Sequence, residues 1–180
     1  MSAVKLEDGS SCELTDLYRD APVALVFLRH FGCVFCRYQV AQLRSAADLP
    51  IYFVCMESAE EAAAFKAEHR SPHHFISDPE RKLYEKYGVK RGTTGQLFSL
   101  RTIGQGIKAT LSGSFQGKPT SDPMQLGATI IIDQSGGVAW SRYAKDAAEI
   151  ITEKEMREQL ERLGQGESAF TRKDDPSPSE

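Results

Sequence analysis

The chain has 180 residues, 41% of them hydrophobic and 26% charged, which is enough for one ordinary globular domain with a substantial core. A formal charge of -3 excludes a general electrostatic attraction to nucleic acid or anionic membranes, so neither is expected as a partner. No apolar run approaches the roughly 20 residues that a spanning helix needs, and Met1 to Asp8 lack the basic and apolar stretches of a secretory signal. Four cysteines are too few for a disulfide scaffold of this size, so the expectation is a cytoplasmic protein.

In chain order, Glu7-Asp8-Gly9-Ser10 between short apolar stretches predicts an N-terminal hairpin leading into Leu14 to Tyr18. Ala21-Pro22 introduces a first core strand over 23 to 28. Apolar residues at Cys36, Val40, Leu43 and Ala47 then recur at helical spacing. Leu49-Pro50 ends that element and Ile51 to Cys55 begins a second strand, which makes a βαβ unit with a parallel pair.

Ser58-Ala59-Glu60-Glu61 is a capping box opening a helix to about His69. Phe75-Ile76-Ser77 is a short strand. Asp78-Pro79 reads as an N-cap with proline at the first helical position, followed by a helix to Tyr87 that Gly88 stops. Leu97, Leu100, Ile103, Ile107 and Leu111 predict one more helix, weakened by Gly104 and Gly106, and 113 to 123 reads as loop.

Ala128 to Asp133, the turn Gln134-Ser135-Gly136-Gly137 and the alternating Val138 to Tyr143 predict an antiparallel hairpin. A second capping box, Thr152 to Glu155, opens a final helix to about Leu163. The domain is therefore expected over 1–163, with a disordered tail over 164–180 that has too little apolar surface to offset its ordering entropy. This order of elements is that of a thioredoxin-like α/β fold, three layers around a central mixed sheet.

The chemistry concentrates at Cys33-Val34-Phe35-Cys36, two thiols delivered by a buried strand to the first turn of a helix. A working dithiol must lower one thiol pKa from about 8.5 towards neutrality, and two pH units require about 2.7 kcal/mol. A helix N-terminus supplies roughly 0.3 to 1 kcal/mol, so other groups must contribute. Arg29, His30 and Arg37 are the cationic neighbours. Arg29 is the expected contributor because its charge is permanent, whereas His30 reads as a loop or packing residue.

Zinc is not expected, because a structural site needs four ligands and Cys12, Cys55, His69, His73 and His74 form no matching pattern. Arg37 stands where haem attachment requires histidine. Gly104-Gln105-Gly106 lacks the strand-turn context of a nucleotide or flavin fingerprint, so no cofactor is expected. Cys55 reads as a small buried hydrophobe and Cys12 as an incidental thiol. Gln125 reads as an exposed polar loop residue.

Phe75-Ile76-Ser77-Asp78-Pro79 with Leu83-Tyr84 and Tyr87-Gly88-Val89 resembles the corresponding segment of alkyl hydroperoxide reductase and thiol-specific antioxidant (AhpC/TSA) proteins. Phe27 to Arg37, together with Asp122 to Ala128, is similar to the peroxiredoxin-like 2 group, which includes selenoprotein-U-like and selenoprotein-L-like proteins. The likeness covers residues 4 to 163. It implies a peroxiredoxin-like antioxidant or disulfide oxidoreductase acting on peroxide or a protein disulfide. A thiol reductant, thioredoxin or a low-molecular-weight thiol, would restore it, and an oligomer is compatible with it.

The chain departs from the peroxiredoxin pattern P-x-x-x-T-x-x-C. With Cys36 in the cysteine position, Arg29 takes the place of the proline and Cys33 that of the threonine. Gly127-Ala128 replaces both the arginine expected in peroxidases and the cis-proline expected in thioredoxins. Two orders of reaction stay open: Cys33 attacks and Cys36 resolves, or Cys36 is oxidised first and Cys33 condenses with it. The alternative function is a non-catalytic thioredoxin-fold module for binding or redox sensing.

Overall fold

The computed structural model describes residues 3–93, 117–118, 120–164 and 171–172. The hairpin pairs β1 (Ala3–Leu6) with β2 (Ser11–Glu13), and a short helix α1 (Leu14–Tyr18) follows. β3 (Val23–Phe27), α2 (Val34–Gln42) with a 3-10 turn over Leu43–Ser45, and β4 (Ile51–Cys55) form the βαβ unit, with β3 and β4 parallel. After these come α3 (Ala59–His69), β5 (His74–Ser77), α4 (Lys82–Lys86), β6 (Ala128–Ile132), β7 (Val138–Tyr143) and α5 (Glu153–Gly164).

One mixed sheet has the order β2-β1-β5-β4-β3-β6-β7-β8, where β8 is the two-residue strand Thr171–Arg172 running parallel to β7. Apart from that strand, the tail beyond Gly164 lies outside the described residues, as does the helix expected over 97 to 111.

Strand β3 is central because both its faces are apolar. Ala24 and Val26 join one core, while Val23, Leu25 and Phe27 join the other, all at most 1% exposed. A strand flanked on both sides in the sheet and apolar on both faces reads as a continuous hydrophobic run. The first core packs Val40 of α2, Phe65 of α3 and Met156 and Leu160 of α5 against one face of the sheet. The second packs Leu14 of α1 and Leu83 and Tyr84 of α4 against the other. Helices on both faces of a mixed sheet make the three-layer, thioredoxin-like α/β architecture.

Both capping boxes form. Ser58 accepts from Glu61 N–H while Glu61 accepts from Ser58 N–H, and Thr152 and Glu155 do the same. Asp78-Pro79 differs from expectation. Pro79 lies before α4, whose N-cap is Arg81 in the left-handed region (φ 58°). The Asp78 carboxylate nonetheless serves the helix start, accepting from Lys82 N–H at 3.0 Å and Leu83 N–H at 2.8 Å. The tight turn moved the helix start three residues downstream but kept the acceptor. Gly88, at φ +66°, ends α4 in a conformation that side chains resist.

Candidate active site

At the carboxyl end of β3 the chain leaves the sheet through Arg29, His30, Phe31 and Gly32 and enters α2 at Cys33. Cys33 is the N-cap, with extended backbone (φ -75°, ψ 123°), and its carbonyl accepts the first helical hydrogen bond from Arg37 N–H at 3.1 Å. Its own N–H donates to His30 O at 3.0 Å, closing the turn. Cys36 lies three residues on, in the first helical turn. Both cysteines are free thiols, 1% and 4% exposed.

The Arg29 guanidinium joins Cys33 to the far side of the site. Its Nη1 donates to Cys33 Sγ at 3.1 Å, its Nε to Gln125 O at 2.8 Å and its Nη2 to Pro123 O at 2.8 Å. The Arg29 backbone N–H donates to Cys36 Sγ at 3.2 Å. Arg29 therefore meets both sulfurs, one through its side chain and one through its backbone. A rigid planar fork suits this task, since a single ammonium cannot span three acceptors in different directions.

The two sulfurs are not equivalent. The Cys36 S–H donates to Cys33, the largest cause lowering the Cys33 thiol to about 6, and the Arg29 charge adds to it against the opposing cost of burial. The Phe35 and Cys36 amides of the first turn contribute further, without closing a capping hydrogen bond of standard geometry. Cys36 moves the other way. Its proton is committed to Cys33, it is buried, and a neighbouring thiolate disfavours a second one, so its thiol is pushed well up. The guanidinium contact and the Cys36 hydrogen bond both favour a thiolate on Cys33 over one on Cys36.

His30 is buried and its Nδ1 has no hydrogen-bond partner among the described residues. Burial first, and the Arg29 charge second, push it down to about 4, so it is a neutral imidazole at physiological pH. Arg37 does not reach the sulfurs through any hydrogen bond. Its Nε donates to Phe31 O at 2.8 Å, its Nη1 pairs with Glu68 at 3.3 Å, and its guanidinium lies 5.9 Å from the Phe65 ring centre.

Cys55 is fully buried on β4, and burial raises its thiol. Cys12 lies on β2, four strand positions from β3. At about 4.8 Å per strand this is about 19 Å, too far to bridge to the pair without dismantling the sheet.

Gln125 corrects the sequence reading. It is 0% exposed, its carbonyl holds Arg29, and its amide donates to Lys90 O at 3.0 Å and Leu126 O at 2.9 Å. The loop folds inward because the Arg29 fork draws its carbonyls onto the site. Glu57, whose carboxylate accepts from Phe31 N–H and from the Thr120 and Ser121 hydroxyls beside the site, is not singled out by the sequence either. One signal was present: Glu57 follows the carboxyl end of the strand parallel and adjacent to the one that delivers the thiols, the edge where α/β sheets gather functional groups.

Residues 37–146 match the AhpC/TSA antioxidant enzyme family. The chain belongs to that family. The AhpC/TSA match begins immediately after Cys36, so the thiol pair itself stands outside it. A prostamide/prostaglandin F synthase of Salmo salar is 29% identical over 160 residues, covering 80% of this chain and 76% of that protein. Peroxiredoxin-like 2C of Mus musculus is 28% identical over 142 residues, or 68% of this chain and 61% of the mouse protein. The fold is shared with a peroxiredoxin-like protein from Aquifex aeolicus at a TM-score of 0.64 and 15% identity, covering 90% of this chain and 82% of that one.

Proposed function

We propose that the protein is a thiol-dependent oxidoreductase in which Cys33 is the attacking thiolate and Cys36 the resolving thiol. The observation that carries this reading is the convergence of the Arg29 guanidinium and the Cys36 S–H on one sulfur. Membership of the AhpC/TSA family supports a peroxide as the oxidant. The Cys33 thiolate attacks one peroxide oxygen, forming an S–O bond while the O–O bond breaks, and the departing oxygen takes a proton to leave as water or an alcohol. Cys33 becomes a sulfenic acid.

Cys36 then loses its proton, and its sulfur attacks Cys33. The S–S bond forms, the S–O bond breaks, and water leaves. Two equivalents of an external thiol, from thioredoxin or a low-molecular-weight thiol, reduce the disulfide by exchange and return both sulfurs to the starting state. A protein disulfide can replace the peroxide in the first step, with a thiolate as the leaving group. A reducing compartment such as the cytoplasm suits this cycle.

The test measures peroxide turnover and protein-disulfide reduction in wild type, Cys33→Ser and Cys36→Ser. Cys33→Ser is expected to lose both activities by about 10³-fold or more, as removal of a nucleophile does. Cys36→Ser is expected to trap a sulfenic acid or mixed disulfide on Cys33, located by mass spectrometry. Peroxide turnover that survives in Cys33→Ser and vanishes in Cys36→Ser would reverse the assignment. A reduced protein whose thiols neither consume peroxide nor exchange with disulfides would leave a binding module.

A further inference from the structure

Glu57 stands two residues beyond β4 and is 3% exposed. Its Oε1 accepts from Phe31 N–H at 3.1 Å, from the Ser121 hydroxyl at 2.8 Å and from the Thr120 hydroxyl. Its Oε2 is buried and has no partner among the described residues, which hold the carboxylate through Oε1. A buried carboxylate is costly unless donors compensate it. Three donors from two separate segments are gathered here.

Both segments lead to the thiols. Phe31 belongs to the turn into Cys33. Its N–H is shared between Glu57 and Thr120 Oγ1, its carbonyl is held by Arg37 at 2.8 Å, and its ring stacks on Phe65 at 4.0 Å. Thr120 and Ser121 precede Pro123 and Gln125, whose carbonyls receive two arms of the Arg29 fork. Asp122, between them, accepts from Met124 N–H at 2.9 Å and tightens the same stretch. The third arm of the fork is the one on Cys33 Sγ.

We propose that Glu57 is a positioning residue for the thiol chemistry: by tying residues 120–121 to the Phe31 peptide, it sets the Pro123 and Gln125 carbonyls that aim Arg29 at the Cys33 sulfur. The inference rests on Cys33 being the reactive sulfur. It adds a residue that touches neither sulfur nor substrate and acts through two hydroxyls, a loop and a guanidinium. The charged or titratable groups acting on Cys33 most strongly are Cys36 and Arg29, while Glu57 acts on Cys55 and Tyr84.

The sign of the effect separates positioning from simple charge. A carboxylate acting through space disfavours a thiolate, so removing its charge would lower the Cys33 midpoint. Loss of positioning raises it, because the guanidinium no longer rests on the sulfur. The test follows iodoacetamide alkylation of reduced protein between about pH 4 and pH 9, locating modified Cys33 by mass spectrometry. Wild type, Glu57→Gln and the double variant Thr120→Val/Ser121→Ala are compared.

The expected result is a higher midpoint in both variants, by up to about one pH unit, with up to about tenfold less thiolate at pH values below both midpoints. The double variant changes no charge, so it carries the test even if Glu57→Gln does not fold. A folded variant whose midpoint is unchanged or lowered overturns the positioning role. A wild-type midpoint near the ordinary value of about 8.5 instead overturns the assignment of Cys33 itself, and the positioning role with it.

Discussion

Replacing Arg29 with methionine removes the charge while keeping an unbranched stem of similar reach. In the folded protein Cys33 falls from the ordinary thiol value of about 8.5 to about 6, a difference worth about 3 kcal/mol between thiolate and thiol. The Cys36 hydrogen bond is the largest favourable cause and the Arg29 charge the next. An opposite charge in contact with a titrating group shifts it by about 1–3 pH units, so Arg29→Met should raise the Cys33 midpoint by about one pH unit and reduce the thiolate about tenfold below it.

The same change strands two carbonyls, Pro123 O and Gln125 O, each of which accepts from the guanidinium at 2.8 Å. Leaving such groups unsatisfied costs about 1–3 kcal/mol each, and relief of the buried charge offsets part of it. A net loss of about 2–4 kcal/mol in urea unfolding is expected. Arg29→Lys should give an intermediate midpoint, since it restores charge but not the fork. The assay is the pH profile of Cys33 alkylation beside the unfolding curve. A folded Arg29→Met protein with an unshifted Cys33 midpoint would refute the electrostatic role and leave Arg29 as a staple for the 123–125 loop.

Two further outcomes are expected. Because the folded Cys33 thiol lies at about 6 and the unfolded one near 8.5, its contribution to stability is complete above the unfolded value and is lost as pH falls through the folded one. Reduced wild type should therefore lose up to about 3 kcal/mol between pH 8.5 and pH 6 by urea unfolding, and Cys33→Ser should lack that dependence. Equal slopes in the two proteins would contradict a depressed Cys33. Gly32→Ala would place a Cβ 1.9 Å from Lys118 O, at a point where Gly117 N–H also donates to Gly32 O at 2.7 Å. Backbone must then separate, at a cost of about 2 kcal/mol, with faster alkylation of Cys33; wild-type stability and alkylation rate would show that the 117–118 contact is dispensable.

Much of the sheet was legible because its signals are local. β3, β4, β6 and β7 follow apolar or alternating runs bounded by turn residues, and both capping boxes close as their spacing requires. Asp78 was misplaced for a local reason too. The N-cap reading assumed that proline would sit in the first helical position, whereas Arg81 in the left-handed region inserts a turn first. Gln125 was misread because polarity and loop placement describe a segment before it is folded against a partner. Its burial follows from Arg29, 96 residues away in sequence.

By itself the sequence determined that two thiols stand two residues apart at the junction of a buried strand and a helix, since that needs only local hydrophobic pattern and spacing. It left the order of the two sulfurs open. That order depends on where a guanidinium, a proton and a set of carbonyls converge, and these come from the turn after β3, from α2 and from the loop before β6, which no local rule brings together. The place of Glu57 after β4 was a signal too weak to assign it a role, for the same reason. An acidic residue after a strand acquires a role only when two distant hydroxyls and a peptide N–H are folded onto its oxygen.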